Sequence, residues 1–238
     1  MPRRHFPLII AHRGAPGRRE NTVEAFLHGI SAGAEWIELD VHPTADGAVV
    51  VHHDPAIGGR KLARCTLDAA RELARRRKRI ALPTLDEVLE AIPKNIGVNV
   101  EIKDPRAARP ALSVLARHKA AERALCSSFD WKTVRELARL RPRVRTGLLT
   151  PRRLDDPVDA IRRARASALI HEYHSVDAAQ VREVQRAGFW FVVWTVNREG
   201  ALRRMVELGV DAIATDYPER LVRLRKTSGA KAQFSTAG

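Results

Sequence analysis

Five consecutive segments between residues 124 and 172 decide the fold: ALCSSF (124–129), KTVRELARL (132–140), VRTGLL (144–149), VDAIRRARA (158–166) and ALIHE (168–172). The first, third and fifth are short and rich in apolar residues, as buried strands are. The second and fourth are longer and repeat their apolar residues every three or four positions, as one face of a helix does. Strict alternation of strands and helices predicts a parallel sheet with right-handed crossovers.

The same alternation extends over the rest of the chain. Further strands are predicted at residues 8–11, 36–41, 97–102, 190–196 and 211–214, each followed by a helical pattern. Asp46-Gly47 marks a turn after the second strand, so a hairpin and a helix form a small insertion over about residues 43–82. Eight such units in 238 residues predict an α/β fold of the TIM (β/α)8 barrel type.

A doubly wound open sheet is the alternative fold. It normally has fewer strands, and Gly14-Ala-Pro-Gly17 after the first strand lacks the GxGxxG pattern of dinucleotide-binding sheets. We expect a single domain over residues 1–226 and a disordered tail over residues 227–238, where the residues are mostly small and polar.

Three features bear on the location of the protein. No apolar run approaches the roughly 20 residues of a membrane helix, so no membrane span is expected. The first apolar run is too short for a secretion signal. The two cysteines form neither a disulfide framework nor a CxxC zinc pattern. Together these features predict a cytoplasmic protein.

The net charge of +14 favours anionic partners. Most basic residues are arginines in helical patterns such as residues 71–79, which is typical of a solvated basic surface. Aromatic residues make up only 5% of the chain and do not interleave with the basic runs. No nucleic-acid partner is therefore expected, because single-strand binding relies on stacking against aromatic side chains.

Polar residues gather at the predicted carboxyl ends of the strands, where barrel enzymes carry their active sites. Glu38 and Asp40 are two positions apart on one strand and so face the same way. Glu101 lies at a comparable height on the neighbouring strand. Three converging carboxylates repel one another unless a cation joins them, and oxygen ligands without thiolates suit one divalent Mg²⁺ or Ca²⁺. The alternative is that the three carboxylates form salt bridges with nearby cations alone.

His12 and His53 are the candidate acid and base, because an imidazole titrates near neutral pH. His52 and His53 alternate in facing, so only one of them is expected to point into the site. Arg13 and Lys103 offer positive charge for a phosphate group. The residues alone therefore predict a metal-assisted acid–base reaction on an anionic, phosphorylated substrate.

The order and spacing of several short motifs make the chain similar to the glycerophosphodiester phosphodiesterase family of bacterial cytosolic type. The resemblance runs from about residue 8 to residue 221. It rests on these motifs: His12-Arg-Gly14, Glu20-Asn-Thr22, Gly33-Ala34, Ile37-Glu-Leu-Asp-Val41, Asp46-Gly47, His53-Asp54, Pro83-Thr-Leu85, Glu101-Ile-Lys103, Ser128-Phe-Asp130, Trp194-Thr-Val-Asn197 and Thr215-Asp-Tyr-Pro218.

The resemblance implies a TIM barrel that hydrolyses glycerophosphodiesters, such as glycerophosphocholine and glycerophosphoethanolamine, to sn-glycerol 3-phosphate and an alcohol. It implies roles for nine residues: His12 and His53 in acid–base catalysis, Glu38, Asp40 and Glu101 as ligands of the divalent cation, Arg13 and Lys103 on the phosphate, Trp194 at the glycerol pocket, and Glu20 lining the site. The family mechanism attacks phosphorus with the glycerol 2-hydroxyl to form a cyclic phosphate, which water then opens. Direct in-line attack by water is the alternative.

The chain departs from the family pattern in two places. Arg19 stands where a proline usually precedes Glu-Asn, and residues 56–62 replace the usual Arg-Thr-Thr segment after His-Asp. The second departure lies in the insertion and leaves the alcohol leaving group open. A lysophospholipase D-like enzyme is one competing interpretation, although the insertion is poor in large apolar residues. A barrel that has lost its activity and binds polyanions or a membrane surface is another, and the oligomeric state stays open.

Overall fold

A computed structural model gives the structure of the chain and describes residues 6–14, 19–140 and 143–227. Its strands are β1 (Leu8–Ala11), β2 (Trp36–Pro43), β3 (Val49–Val51), β4 (Ala56–Ile57), β5 (Arg60–Lys61), β6 (Gly97–Ile102), β7 (Ala124–Ser128), β8 (Arg145–Thr150), β9 (Ala168–Glu172), β10 (Trp190–Trp194) and β11 (Ala212–Thr215). Its helices are α1 (Val23–Ser31), α2 (Leu67–Lys78), α3 (Leu85–Ala91), α4 (Ala108–Arg117), α5 (Trp131–Leu140), α6 (Pro157–Ala164), α7 (Ala178–Arg186), α8 (Glu199–Leu208) and α9 (Pro218–Thr227).

Eight parallel strands close into a barrel. The hydrogen-bonded order is β1, β11, β10, β9, β8, β7, β6 and β2, and β1 also pairs with β2. Closure leaves no free edge on the parallel sheet, so the predicted TIM barrel is confirmed and the open-sheet alternative is wrong. The eight predicted barrel strands agree with the observed ones to within two residues at either end.

The insertion after β2, residues 43–82, contains a hairpin and a helix as predicted. β3 runs antiparallel to β2, with Val51 opposite Val41. A second, smaller hairpin of β4 and β5 follows, which the sequence analysis missed because each strand has only two residues. A small apolar cluster holds the insertion together: Val50, Ile57, Leu62, Cys65, Ala70, Ala74 and Leu82.

The barrel has a narrow interior and a wider outer shell. Nine small or branched apolar residues fill the interior, with Trp36, Trp190 and Trp194 packed against them. Gly97 faces Trp36 across the β2–β6 pair, and a Cβ at residue 97 would lie 2.1 Å from that indole ring. The shell between strands and helices holds two larger clusters, one of which contains the buried, free Cys126.

The predicted end of the domain lies close to the end of the last helix. Helix α9 ends at Thr227, one residue later than the predicted domain boundary. The predicted disordered tail beyond it, residues 228–238, lies outside the described residues. Within the described part of the chain, no helix is long and apolar enough to cross a membrane.

Candidate functional site

Three carboxylates meet inside the barrel at the carboxyl ends of β2 and β6. Asp40 pairs in register with Glu101, and Glu38 lies one layer below Asp40 on the same strand face. All three residues are buried, and one oxygen from each lies within 4.8 Å of the others. The structure therefore brings together the three residues that the sequence analysis selected as metal ligands.

The burial of these groups perturbs their protonation. Burial, together with the charge of Asp40, raises the pKa of Glu38 to about 8. Burial and the same neighbour also raise the pKa of Glu101. Burial alone would raise the pKa of Asp40, but Lys103 and Arg13 outweigh it and hold that pKa below its usual range. Without a further cation, the cluster thus keeps Asp40 ionised and disfavours the charge on its neighbours.

Lys103 lies over the two upper carboxylates. Its Nζ is 3.1 Å from Asp40 Oδ1 and 2.6 Å from Glu101 Oε1. Both oxygens are buried, and Lys103 is the cation that pairs with each of them within the described residues. The salt-bridge alternative of the sequence analysis is thus present in part, because Lys103 reaches two of the three carboxylates with a single positive charge.

The donor set fits a divalent cation. It consists of carboxylate oxygens alone, which Mg²⁺ and Ca²⁺ prefer. Three buried carboxylates within 4.8 Å of one another repel, an arrangement that is costly unless a cation binds them. Glu38, Asp40 and Glu101 are therefore able to hold a metal ion.

Arg13 follows β1 in the left-handed backbone conformation, with φ at 50°. This conformation is strained for a non-glycine residue, and it directs the Arg13 backbone N–H to Glu38 Oε2 at 2.9 Å. The guanidinium Nη1 donates to Glu20 at 3.0 Å, and Nε lies 3.3 Å from Asp40 Oδ2 without hydrogen-bond direction. The Glu20 side chain is 54% exposed, so it lies at the rim of the site and holds Arg13 from the solvent side.

Asn21 appears in the sequence analysis only within the Glu20-Asn-Thr22 motif. In the structure, Thr22 caps α1 and accepts the hydrogen bond from its first turn. Asn21 is buried and exchanges two hydrogen bonds with Asp40: Nδ2 donates to Oδ2 at 2.8 Å, and Asp40 N donates to Asn21 Oδ1 at 3.2 Å. Asn21 therefore fixes the orientation of Asp40.

His12 lies beside the carboxylates at the end of β1. Its Nδ1 is 2.8 Å from Asp216 Oδ1, and its Nε2 is 3.9 Å from Glu38 Oε2. Because an ionised carboxylate only accepts, Nδ1 carries the proton and Nε2 is left for the site. Burial alone would lower the pKa of His12, but Asp216 and Glu38 outweigh it and raise that pKa.

Asp216 and Asn197, which the sequence analysis quotes only within two family motifs, form a hydrogen-bond network beside His12. Asn197 donates to Asp216 Oδ2 at 2.6 Å, and Asp216 N donates to Asn197 Oδ1 at 2.9 Å. The barrel prediction could have revealed this network. Closure of the barrel pairs Ala11 with Thr215, so the next residues, His12 and Asp216, lie side by side.

His53 has a carboxylate partner of its own. Its Nδ1 is 3.0 Å from Asp54 Oδ1, so Nδ1 donates and Nε2 stays free, as in His12. His52 is buried instead in the insertion, where its Nε2 lies 3.2 Å from Lys78 Nζ and its Nδ1 3.0 Å from the Asp54 carbonyl oxygen. Burial lowers the pKa of His52, which keeps it neutral. The two neighbours thus face different surroundings, as their alternation predicts.

An aromatic pair forms another part of the mouth. Trp194 is half-buried, and its Nε1 donates to the Ile170 carbonyl oxygen at 3.3 Å. Phe129, which the sequence analysis did not select, is 41% exposed and packs edge-on against Trp194 with ring centroids 5.6 Å apart. Lys103 Nζ lies 5.9 Å from the centre of the Phe129 ring. The pair presents an apolar surface next to the charged cluster.

A closed (β/α)8 barrel with a charged cluster at the carboxyl ends of its strands defines a barrel enzyme. Comparison with known proteins narrows that class. The model of the glycerophosphoryl diester phosphodiesterase family matches residues 12–220. The glycerophosphodiester phosphodiesterase of Caldanaerobacter subterraneus is 32% identical over 240 residues, which cover 93% of this chain and 99% of the relative.

Solved structures agree with this assignment. The glycerophosphodiester phosphodiesterase of Parabacteroides distasonis superposes with a TM-score of 0.83 at 26% identity, over 94% of this chain and 99% of that one. The enzyme of Thermotoga maritima does so with a TM-score of 0.78 at 28% identity, over 93% and 99% of the two chains. The chain belongs to the glycerophosphoryl diester phosphodiesterase family and is a phosphodiesterase, as the motifs predict.

Proposed function

We propose that this protein hydrolyses glycerophosphodiesters to sn-glycerol 3-phosphate and an alcohol, with His12 and His53 as the acid–base pair and one divalent cation, Mg²⁺ or Ca²⁺, as cofactor. One observation carries the proposal. Two imidazoles, each oriented at Nδ1 by a carboxylate, lie at the barrel mouth that holds the three buried carboxylates.

The cation would be held by Glu38, Asp40 and Glu101. When bound, it neutralises charge on the phosphate oxygens and on the three carboxylates. Arg13 and Lys103, which pair with the carboxylates in this structure, supply further positive charge for the phosphate. The apolar surface of Trp194 and Phe129 suits the carbon face of glycerol, and Glu20 restrains Arg13.

The reaction then needs two proton transfers in each of its steps. One histidine Nε2 removes the proton of the glycerol 2-hydroxyl as that oxygen bonds to phosphorus, and the other protonates the alcohol oxygen as its bond to phosphorus breaks. Water opens the resulting cyclic phosphate with the histidine roles reversed. One water is consumed for each glycerol 3-phosphate and alcohol released.

The test is an assay of purified protein stripped with EDTA. Glycerophosphocholine and glycerophosphoethanolamine are supplied with Mg²⁺, Ca²⁺ or Mn²⁺, and glycerol 3-phosphate is detected with its dehydrogenase. We expect release of glycerol 3-phosphate that depends on added metal. Folded protein that releases none with any metal would refute the proposal, and turnover of lysophospholipid micelles instead would favour the lysophospholipase D-like interpretation.

A further inference from the structure

The positive charge of the chain is concentrated in one part of the insertion. Residues 55–82 contain nine lysines and arginines and only two acidic residues. This 28-residue stretch, called the basic segment below, therefore carries a net charge of +7, half of the +14 of the whole chain. A solvated surface of even composition does not explain such a concentration.

The basic segment lies at the mouth of the site. It begins one residue after Asp54, whose Oδ1 accepts the hydrogen bond from His53. Lys78, at the end of α2, places its Nζ 3.5 Å from the other oxygen of Asp54. The Arg77 side chain packs over the β4–β5 turn, where its Cγ would lie 3.2 Å from a Cβ at Gly58. The hairpin that carries Arg60 and Lys61 adjoins this loop as well, because Lys61 pairs with Ala56 and Leu62 N donates to the Pro55 carbonyl oxygen at 2.9 Å. The end of α2 and the hairpin thus both lie beside the loop that carries His53.

Several of these cations have no acidic partner. Arg71 pairs with Glu87, Arg75 and Arg76 share Glu72, and Lys78 pairs with Asp54. Five exposed cations form no ion pair within the described residues: Arg60, Lys61, Arg64, Arg77 and Arg79. The one acidic residue of the segment outside these pairs is Asp68, which is exposed on α2.

The segment offers much charge and little apolar surface, because none of its large apolar residues is exposed and only Leu67, Leu73 and Ile80 are half-buried. Ile57 and Leu62, the large apolar residues of the hairpin and of the turn after it, are fully buried in the cluster of the insertion. A surface that anchors in a bilayer or holds an acyl chain needs an exposed apolar face. Electrostatic recognition of a small anion requires only the unpaired cations, so the observations favour a charged, soluble ligand.

We propose that the basic segment binds a second anionic group on the leaving alcohol. The preferred substrates are then glycerophosphodiesters whose alcohol itself carries a phosphate. This inference rests on the proposed function and names the substrate class for it. If the glycerol lies against Phe129 and Trp194, the leaving alcohol on the other side of the phosphate lies beside His53. There it faces the unpaired cations of the basic segment. A dianionic phosphate there meets several unpaired positive charges, whereas choline meets repulsion.

The experiment compares two substrates that differ by one phosphate. Glycerophosphoinositol and glycerophosphoinositol 4-phosphate are assayed with metal in large excess over substrate, and kcat/KM is measured from released glycerol 3-phosphate. At low salt we expect the phosphorylated substrate to be favoured by about tenfold, since each surface ion pair contributes up to about fivefold. The ratio of the two kcat/KM values should fall towards one in 0.5 M NaCl, because at that salt concentration exposed charges are screened beyond a few ångströms.

A matched pair of variants separates a local site from the overall charge. R60Q/K61Q removes two unpaired cations from β5, whereas R182Q/R186Q removes two exposed cations from α7, which follows the strand opposite β2 in the barrel. We expect the first variant to lose most of the preference while keeping kcat/KM for glycerophosphoinositol. The second should keep the preference, and circular dichroism should show both variants folded.

The outcomes are distinct. Equal kcat/KM for both substrates, with clear turnover, would overturn this inference and leave the proposed function standing. Equal loss of the preference in both variants would also overturn it, because the net charge would then be responsible. Absence of turnover for both inositol substrates, in protein that hydrolyses glycerophosphocholine or glycerophosphoethanolamine, would overturn this inference alone. Inactivity towards all four substrates with every metal would overturn the proposed function as well.

Discussion

At the scale of single residues, the two histidines of the mouth are distinguished from their neighbours by their partners. His12 and His53 each donate Nδ1 to a carboxylate and leave Nε2 free. We expect H12A and H53A to lower kcat by about 10²–10⁴-fold, because each removes one of the two groups proposed to transfer protons. Both variants should keep the circular dichroism and metal affinity of the parent.

H52A is the matched control for H53A. His52 is buried and bonded within the insertion, so its loss should cost about 1–3 kcal/mol of unfolding free energy while most activity remains. Near-normal kcat in H53A together with inactive but folded H52A would show that the two neighbours have been assigned the wrong way round.

The effect of Asp216 on His12 should be visible in the pH dependence of the rate. Its hydrogen bond and charge raise the pKa of His12, so D216N should lower that pKa and move the His12 limb of the rate profile to lower pH. An amide also permits the other imidazole tautomer, so kcat should fall by about 10²–10⁴-fold. Steady-state rates measured from pH 5 to 9 check both effects. An unshifted profile with full kcat would rule out this positioning role.

At the scale of elements, the β2–β6 pair supports the site from below. Gly97 lies against the Trp36 ring, where a Cβ would overlap atoms at 2.1 Å. G97A should therefore destabilise the fold by about 1–3 kcal/mol, since the ring has to move within a packed interior. Urea unfolding followed by tryptophan fluorescence measures the change.

At Gly200, the same substitution by alanine is expected to stabilise the fold. It lies in α8, and a Cβ there meets no described atom within 4 Å. G200A should stabilise the protein by up to about 1 kcal/mol, because alanine loses less conformational entropy in a helix. Similar destabilisation by both substitutions would mean that the Gly97–Trp36 contact is not responsible.

The elements also show what the sequence could predict. Strand and helix positions followed from periodicity, and alternating facing on β2 was enough to bring Glu38 and Asp40 to one side. The hydrogen-bond partners of the site residues were harder to predict from the sequence. The bonds of Asn21 to Asp40 depend on a left-handed turn, with φ at 59°, that no local pattern marks. Phe129 was missed because one aromatic residue after a strand is equally typical of packing.

At the scale of the whole molecule, the proposed metal site would couple metal binding to stability. A cation that binds only the folded state at 100 times its dissociation constant adds about 2.7 kcal/mol. For a chain of this size that corresponds to a rise in Tm of about 5–10 °C. Differential scanning fluorimetry with EDTA, then with Mg²⁺ or Ca²⁺, measures it.

Two variants test the origin of that stabilisation. D40N should abolish most of the rise in Tm, since Asp40 is the carboxylate most firmly held in its charged form. E20Q, at the exposed rim, should retain it. A metal-dependent rise that survives in D40N would place the cation elsewhere.

The two free cysteines lie in separate apolar clusters, Cys65 in the insertion and Cys126 in the barrel shell. Burial raises the pKa of Cys126 to about 12, so its thiol stays unreactive while the barrel is closed. Each thiol is therefore a built-in reporter of the local opening that exposes it to a maleimide. Mass spectrometry of the labelling time course would follow the two clusters independently. Faster modification of Cys65 would show that the insertion opens locally while the barrel stays folded.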